Sequence, residues 1–76
     1  MINELDTVVL SHDIEEYSLE QGDIGAVVHV YKNGEAYEVE FVTGEGETIA
    51  VLTLAAKDIR LMGEREILHV RELIHA

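Results

Sequence analysis

The chain has 76 residues, no cysteine and no proline, and sixteen acidic side chains against five basic ones, for a formal net charge of −11. That length allows one small domain, which buries only about 60% of its unfolded surface, and the missing cysteines exclude disulfide staples and thiolate metal sites. A hydrophobic content of 47% is that of a folded protein rather than a disordered one, and so thin a core invites a supplement such as a partner or a second copy.

Along the chain, MINELDTVVL opens with no basic region and only a brief apolar run. It reads as the approach to a strand, not as a leader or a membrane span, and a cytoplasmic location is expected. The first strand is expected at Asp6–Leu10, with Val8 and Leu10 inward. Residues 11–24 make a long connection in which Ile14, Tyr17 and Leu19 are apolar points able to fold back over a core edge. EQGD, residues 20–23, reads as a turn, and Gly22 and Gly25 suit a positive φ or a close backbone approach.

Gly25–Tyr31 is the second expected strand, and Asn33-Gly34 after it is a strong signal for a type I′ hairpin. Ala36–Thr43 follows as a third strand, the GEGE turn at 44–47 as a second reversal, and Thr48–Leu54 as a fourth strand. Residues 55–59 read as a single helical turn and Arg60–Met62 as a last short strand. Five short strands joined by tight turns imply a meander that closes into a small SH3-like barrel over residues 1–62. From Gly63 onward, Ile67, Val70, Leu73 and Ile74 recur at helical spacing, with Glu64 and Glu66 at the start and His75 at the end suiting the helix dipole. A short C-terminal helix over residues 63–76 is therefore expected. Alone in water it would be marginal, so it must lie on something.

Period-two alternation places Ala26, Val28 and Val30 on one face of the second strand and Val27, His29 and Tyr31 on the other. A strand apolar on both faces is usually covered on both. The outer patch Val27, Tyr31, Val42 and Leu52, together with the tail residues Ile67, Val70, Leu73 and Ile74, is the expected protein interface, with a homodimer as one outcome. The alternative is that the tail covers its own barrel.

Charge divides the chain as well. Residues 1–56 hold twelve acids and one base, Lys32, whereas residues 57–76 hold four of each. An acidic body repels phosphate, so nucleic-acid binding is not expected. It serves solubility, or it attracts a basic protein through an acidic face of Glu35, Glu38, Glu40, Glu45 and Glu47.

The runs ELDTVVL, LEQGDIGAVVHVY, AYEVEFV and TIAVLTL resemble an uncharacterised family of small bacterial proteins, frequent in cyanobacteria and known only as a domain of unknown function. The resemblance covers about residues 4 to 61, and its distinctive part is the G-D-x-G-x-V-V-x-V-Y core. It implies an SH3-like fold and carries over no activity, substrate or catalytic residue. The tail after Met62 departs from that family's usual end. The same core is similar to the KOW motif of ribosomal and transcription-elongation proteins, with Gly25 at its glycine, but the loops EEYSLEQGD and TGEGET lack the basic residues of RNA-binding examples.

Ser11-His12-Asp13 spells a hydrolase triad in letters only. Three consecutive side chains in a turn diverge, whereas a triad needs serine and acid on opposite nitrogens of one imidazole. Local bonding of Ser11 or Asp13 to backbone amides is the simpler expectation. His12, His29, His69 and His75 show no metal-ligand spacing, and GEGE lacks the lysine and helix of a phosphate loop. No catalytic residue, metal or cofactor is assigned. The expected function is non-enzymatic protein binding, as an acidic partner of antitoxin or immunity type for a basic protein. The alternative is a small accessory subunit that docks on an enzyme through its apolar tail.

Overall fold

The computed structural model describes residues 1–73, in which five strands form a single antiparallel sheet. They are β1 (Thr7–Leu10), β2 (Ile24–Tyr31), β3 (Ala36–Val42), β4 (Thr48–Ala55) and β5 (Ile59–Leu61), in the order β4-β3-β2-β1-β5. Every strand lies within a residue of its expected position. Short 3₁₀ turns at Glu15–Tyr17 and Ala56–Asp58 are the helical elements among the described residues. The sheet is open: β4 and β5 are its two edges and do not pair with each other, so the expected barrel closure is not found.

The turns follow their chemistry, with one shift. Gly22 takes the positive φ expected of it in EQGD (95°), and in the GEGE turn Gly46 does the same (88°). In the β2–β3 hairpin the Gly34 amide bonds the Tyr31 carbonyl at 2.9 Å, and Lys32, Asn33 and Gly34 all have positive φ. The tight turn thus centres on Lys32-Asn33, one residue earlier than Asn33-Gly34. Gly25 serves the other glycine role. A Cβ there would sit 2.6 Å from Val39 Cγ1 and 2.9 Å from Phe41 Cε1, so β2 and β3 approach only because it is absent.

The core lies on one face of the sheet, built from Val8, Leu10, Val27, Tyr37, Val39, Phe41, Leu54 and Ile59, with Leu19 folded over it from the long connection. Ile14 pairs with Leu19 in an isolated bridge and also packs on the core, while Tyr17 stays exposed. Phe41, Leu10, Val8, Val27 and Val39 are sealed from solvent, each contributing about 1.5–3 kcal/mol by burial.

A bulge explains why β2 is apolar throughout. Val27 pairs with Val39 and His29 with Glu38, leaving Val28 as the extra residue, so the inward phase changes between Val27 and Val30. Val27 (0% exposed) and Val30 both serve the core, and His29 and Tyr31 fall on the outer face. Strict alternation had Val27 outside. Leu52 is corrected similarly: it pairs with Val39 and packs against the core instead of joining an outer patch.

The tail is not helical over its described part, residues 63–73. Its periodicity has too little length to hold a helix in water, and two arginine–carboxylate clasps hold it in another course. Arg60 gives a two-bond pair to Glu66 (2.8 and 2.7 Å), whose Oε1 also accepts the Gly63 amide at 2.6 Å. Arg71 then reaches the turn before β2, where Nε and Nη2 bond the two carboxylate oxygens of Asp23 at 2.9 and 2.5 Å and Nη2 bonds the Ser18 carbonyl at 2.8 Å. Ile74 and His75 lie outside the described residues.

Candidate functional site

The outer face of the sheet gathers the side chains that the alternation of β3 turns away from the core. Glu38 and Glu40 lie there, half-buried, with Tyr31, Thr48, Val51 and Thr53 around them. Glu38 Oε1 accepts the Thr53 hydroxyl at 2.6 Å and the Tyr31 hydroxyl at 3.3 Å, and Glu40 Oε2 accepts the Thr48 hydroxyl at 2.7 Å. Both carboxylates are therefore held by neutral donors, and no cation among the described residues pairs with them. His29 stacks edge-on against Tyr31 with ring centroids 4.5 Å apart. Partial burial pushes the Tyr31 phenol above its ordinary pKa, and the Glu38 charge adds to that.

Of the expected acidic face, Glu38 and Glu40 are central, with Glu35 in the hairpin before β3 and Glu45 and Glu47 in the turn after it. The five run along one strand from turn to turn. The expected apolar interface is divided. Tyr31 and Val42 (48% exposed) are on the surface, Val27 and Leu52 belong to the core, and Ile74 is outside the described residues. In the tail, Ile67 is 92% and Val70 90% exposed, while Leu73 is half-buried.

The tail crosses the sheet near Ile24. Val9 points away from the core in the alternation of β1, yet it is buried, in a cleft of about 140 Å³ shared with Ile24, Met62, Leu68 and His69. A second cleft of about 190 Å³ lies between Leu19, Ile24, Val42, Ile49, His69 and Leu73. The tail thus covers part of its own sheet while presenting Ile67 and Val70 to solvent. Burial pushes the Asp23 carboxyl up, but the bonds from Arg71 and from the Glu20 amide outweigh it and hold the group below the usual range. The bond from Arg60 and the Gly63 amide hold Glu66 down at about 2.

Ser11-His12-Asp13 folds into an anchor. His12 Nδ1 faces the Asp13 carbonyl at 2.9 Å and Nε2 faces Asp58 Oδ1 at 2.7 Å, so neither nitrogen meets Ser11. Asp13 Oδ1 accepts the Gln21 amide at 2.8 Å, as expected for an acid that bonds backbone. Asp58 Oδ2 also accepts the Ala55 amide at 2.8 Å, which ties the exit of β1 to the turn between β4 and β5. The spacing of 46 residues between His12 and Asp58 left this contact without a local signal. Among the described residues, no three His, Asp or Glu side chains group as a metal site, and no helix is long and apolar enough to cross a membrane.

Residues 4–61 match the family model described as Domain of unknown function (DUF4926). No curated protein and no solved structure matches the chain.

Proposed function

This chain belongs to the DUF4926 family, and from that premise we propose that it is a non-enzymatic, cytoplasmic module that works by binding protein, as an acidic partner that neutralises a basic one. The observation that carries the reading is the concentration of twelve acids against one base in residues 1–56, with Glu38 and Glu40 on the open face of the sheet, bonded by hydroxyls rather than by cations. Carboxylates arranged in this way draw a basic surface and fix its approach. An SH3-like architecture belongs to the same proposal. It is supported by the strand order and by the single 3₁₀ turn that joins the two outer strands.

The exposure of Ile67 and Val70 favours a second reading, in which the tail docks on an enzyme or on another copy of the chain. One experiment separates the two. Full-length protein is used to capture partners from its host at about 0.05 and 0.5 M salt, which spans strong to weak screening, beside an E38Q/E40Q variant and an I67S/V70S variant. The acidic reading expects a basic protein that is lost at high salt and with E38Q/E40Q but kept by I67S/V70S. Retention that ignores salt and fails with I67S/V70S overturns it in favour of docking. A shift from dimer to monomer in sedimentation of I67S/V70S assigns the tail to self-association.

A further inference from the structure

The two edges of the sheet are unequally guarded. β5 is three residues long, carries Arg60, and is followed at once by the Gly63–Glu66 fold-back that Arg60 secures. β4 is eight residues long and has β3 as its single neighbour among the described residues. Its sequence TIAVLTLA contains no charged residue, and proline is absent from the chain. Charges and proline are devices that usually keep a free edge from accepting another strand. The bulge between Thr48 and Ala50, a third such device, is confined to the start of β4 and leaves Ala50–Ala55 in regular register. In an antiparallel edge strand, every second residue directs its N–H and C=O away from the sheet.

What lies beside that edge defines what it would accept. On the outer face Val51 pairs with Glu40 and Thr53 with Glu38. The hydroxyl bonds from Thr48 and Thr53 draw both carboxylates toward β4. Strands in a sheet are roughly 5 Å apart, so β3 lies about two spacings from a sixth strand, a gap that a long basic side chain reaching inward and the carboxylates leaning toward β4 close from both sides. Glu38 and Glu40 are two residues apart, which is the repeat of side chains on one face of any strand.

The geometry points to strand addition: β4 pairs along its free edge with an extended segment of a partner protein that carries Lys or Arg at alternate positions, and those cations reach over Val51 and Thr53 to Glu40 and Glu38. A second copy of β4 does not fit this description, because Thr48–Ala55 would bring no cation to the glutamates. The inference rests on the acidic-capture reading and specifies its mode. Main-chain bonds supply affinity and the two carboxylates supply selectivity.

The test uses the full chain, labelled for NMR, and a ten-residue peptide that alternates lysine and valine. Three controls accompany it: the same peptide with glutamate for lysine, the lysine–valine peptide N-methylated along its backbone, and oligolysine. Expected with the lysine–valine peptide are shifts at Thr48–Ala55 and at Glu38 and Glu40, with slowed amide exchange confined to Thr48–Ala55; none are expected with the glutamate peptide, and binding is lost on N-methylation. The E38Q/E40Q variant should bind about three- to tenfold more weakly, the size expected for two cross-strand charge pairs. Equal binding of the N-methylated peptide or of oligolysine, with shifts at the turns around Glu35 and Glu45, overturns strand addition and leaves acidic capture standing. No salt-dependent binding of any cationic peptide overturns both. Shifts in β4 that follow protein concentration without peptide assign the edge to a second copy and overturn the inference.

Discussion

The inner face of the sheet and the C-terminal tail are attached to the same small molecule by opposite means. Val8, Leu10, Val27, Val39 and Phe41 interlock out of reach of water, whereas the tail hangs from two arginines, Arg60 on Glu66 and Arg71 on Asp23, and leaves Ile67 and Val70 outside. Apolar burial is not screened by salt and sums over area. Exposed ion pairs are weak singly and are screened. The body is therefore the fixed part, and the tail is the part that conditions in solution can loosen. The sharpest way to break this contrast acts on the body. Gly25→Ala places a methyl against Val39 Cγ1 and Phe41 Cε1 and should cost about 1–3 kcal/mol, the usual penalty for overfilling a packed site. Gly44→Ala, with nothing within 4 Å and no positive φ, is the control and should be neutral or slightly stabilising. Urea denaturation of both variants reads the difference. Equal behaviour would mean that β2 and β3 have slack at Gly25.

A smaller effect is expected at the tail. Arg71→Gln removes the two-bond clasp on Asp23 and should cost no more than about 1 kcal/mol of global stability, the range of surface ion pairs. Its local effect is larger. Residues 67–73 should become the first site of proteolysis, and the wild-type protein should approach the same cleavage rate as salt is raised. A tail that stays protected in Arg71→Gln would show that Val9, Ile24 and Leu68 hold it by apolar contact, and the contrast with the body would weaken accordingly.

Most of the sheet was legible in the sequence because its signals are local. Alternation, a hairpin dipeptide and glycine-bearing turns placed five strands within a residue of where they lie. Three features needed information that no window of sequence contains. The bulge at Val28 reverses the phase of β2, so reading Val27 as outward followed the pattern and missed the register. The tail has a real helical period, but the helix it implies competes with clasps from Asp23 and Arg60, one of them 48 residues away. Closure into a barrel depends on whether β4 and β5 meet, which is a matter of sheet curl rather than of pattern. At the candidate site, the membership of Glu38 and Glu40 in the outer face followed from period two alone. Their lean toward β4 came from Thr48 and Thr53, which nothing in the sequence tied to them.

The His12–Asp58 contact crosses the division between a packed body and an ion-paired tail, because it pairs charges and yet belongs to the body. His12 joins the exit of β1 to Asp58 in the turn between the two edge strands. The Asp58 carboxylate and the Asp13 carbonyl raise the His12 pKa above its ordinary 6.5, and the His12 bond lowers that of Asp58 below 3.8 despite some desolvation. The signs fix the window. A raised histidine stabilises fully below its unfolded value and loses the contribution as pH climbs through the folded one. A lowered carboxylate stabilises fully above its unfolded value and loses the contribution as pH falls through the folded one. The pair should therefore act fully between about pH 4 and 6.5 and fade on the alkaline side as His12 gives up its proton. The measurement is the difference in melting temperature between wild type and His12→Gln at a series of pH values, which cancels pH effects common to both. The difference should be greatest near pH 5–6 and shrink toward pH 8, and added salt should shrink it at pH 5.5. A difference that stays constant across the range would show His12 acting as a neutral hydrogen-bonding wedge. The His12–Asp58 contact would then not be ionic in the way that the clasps of the tail are.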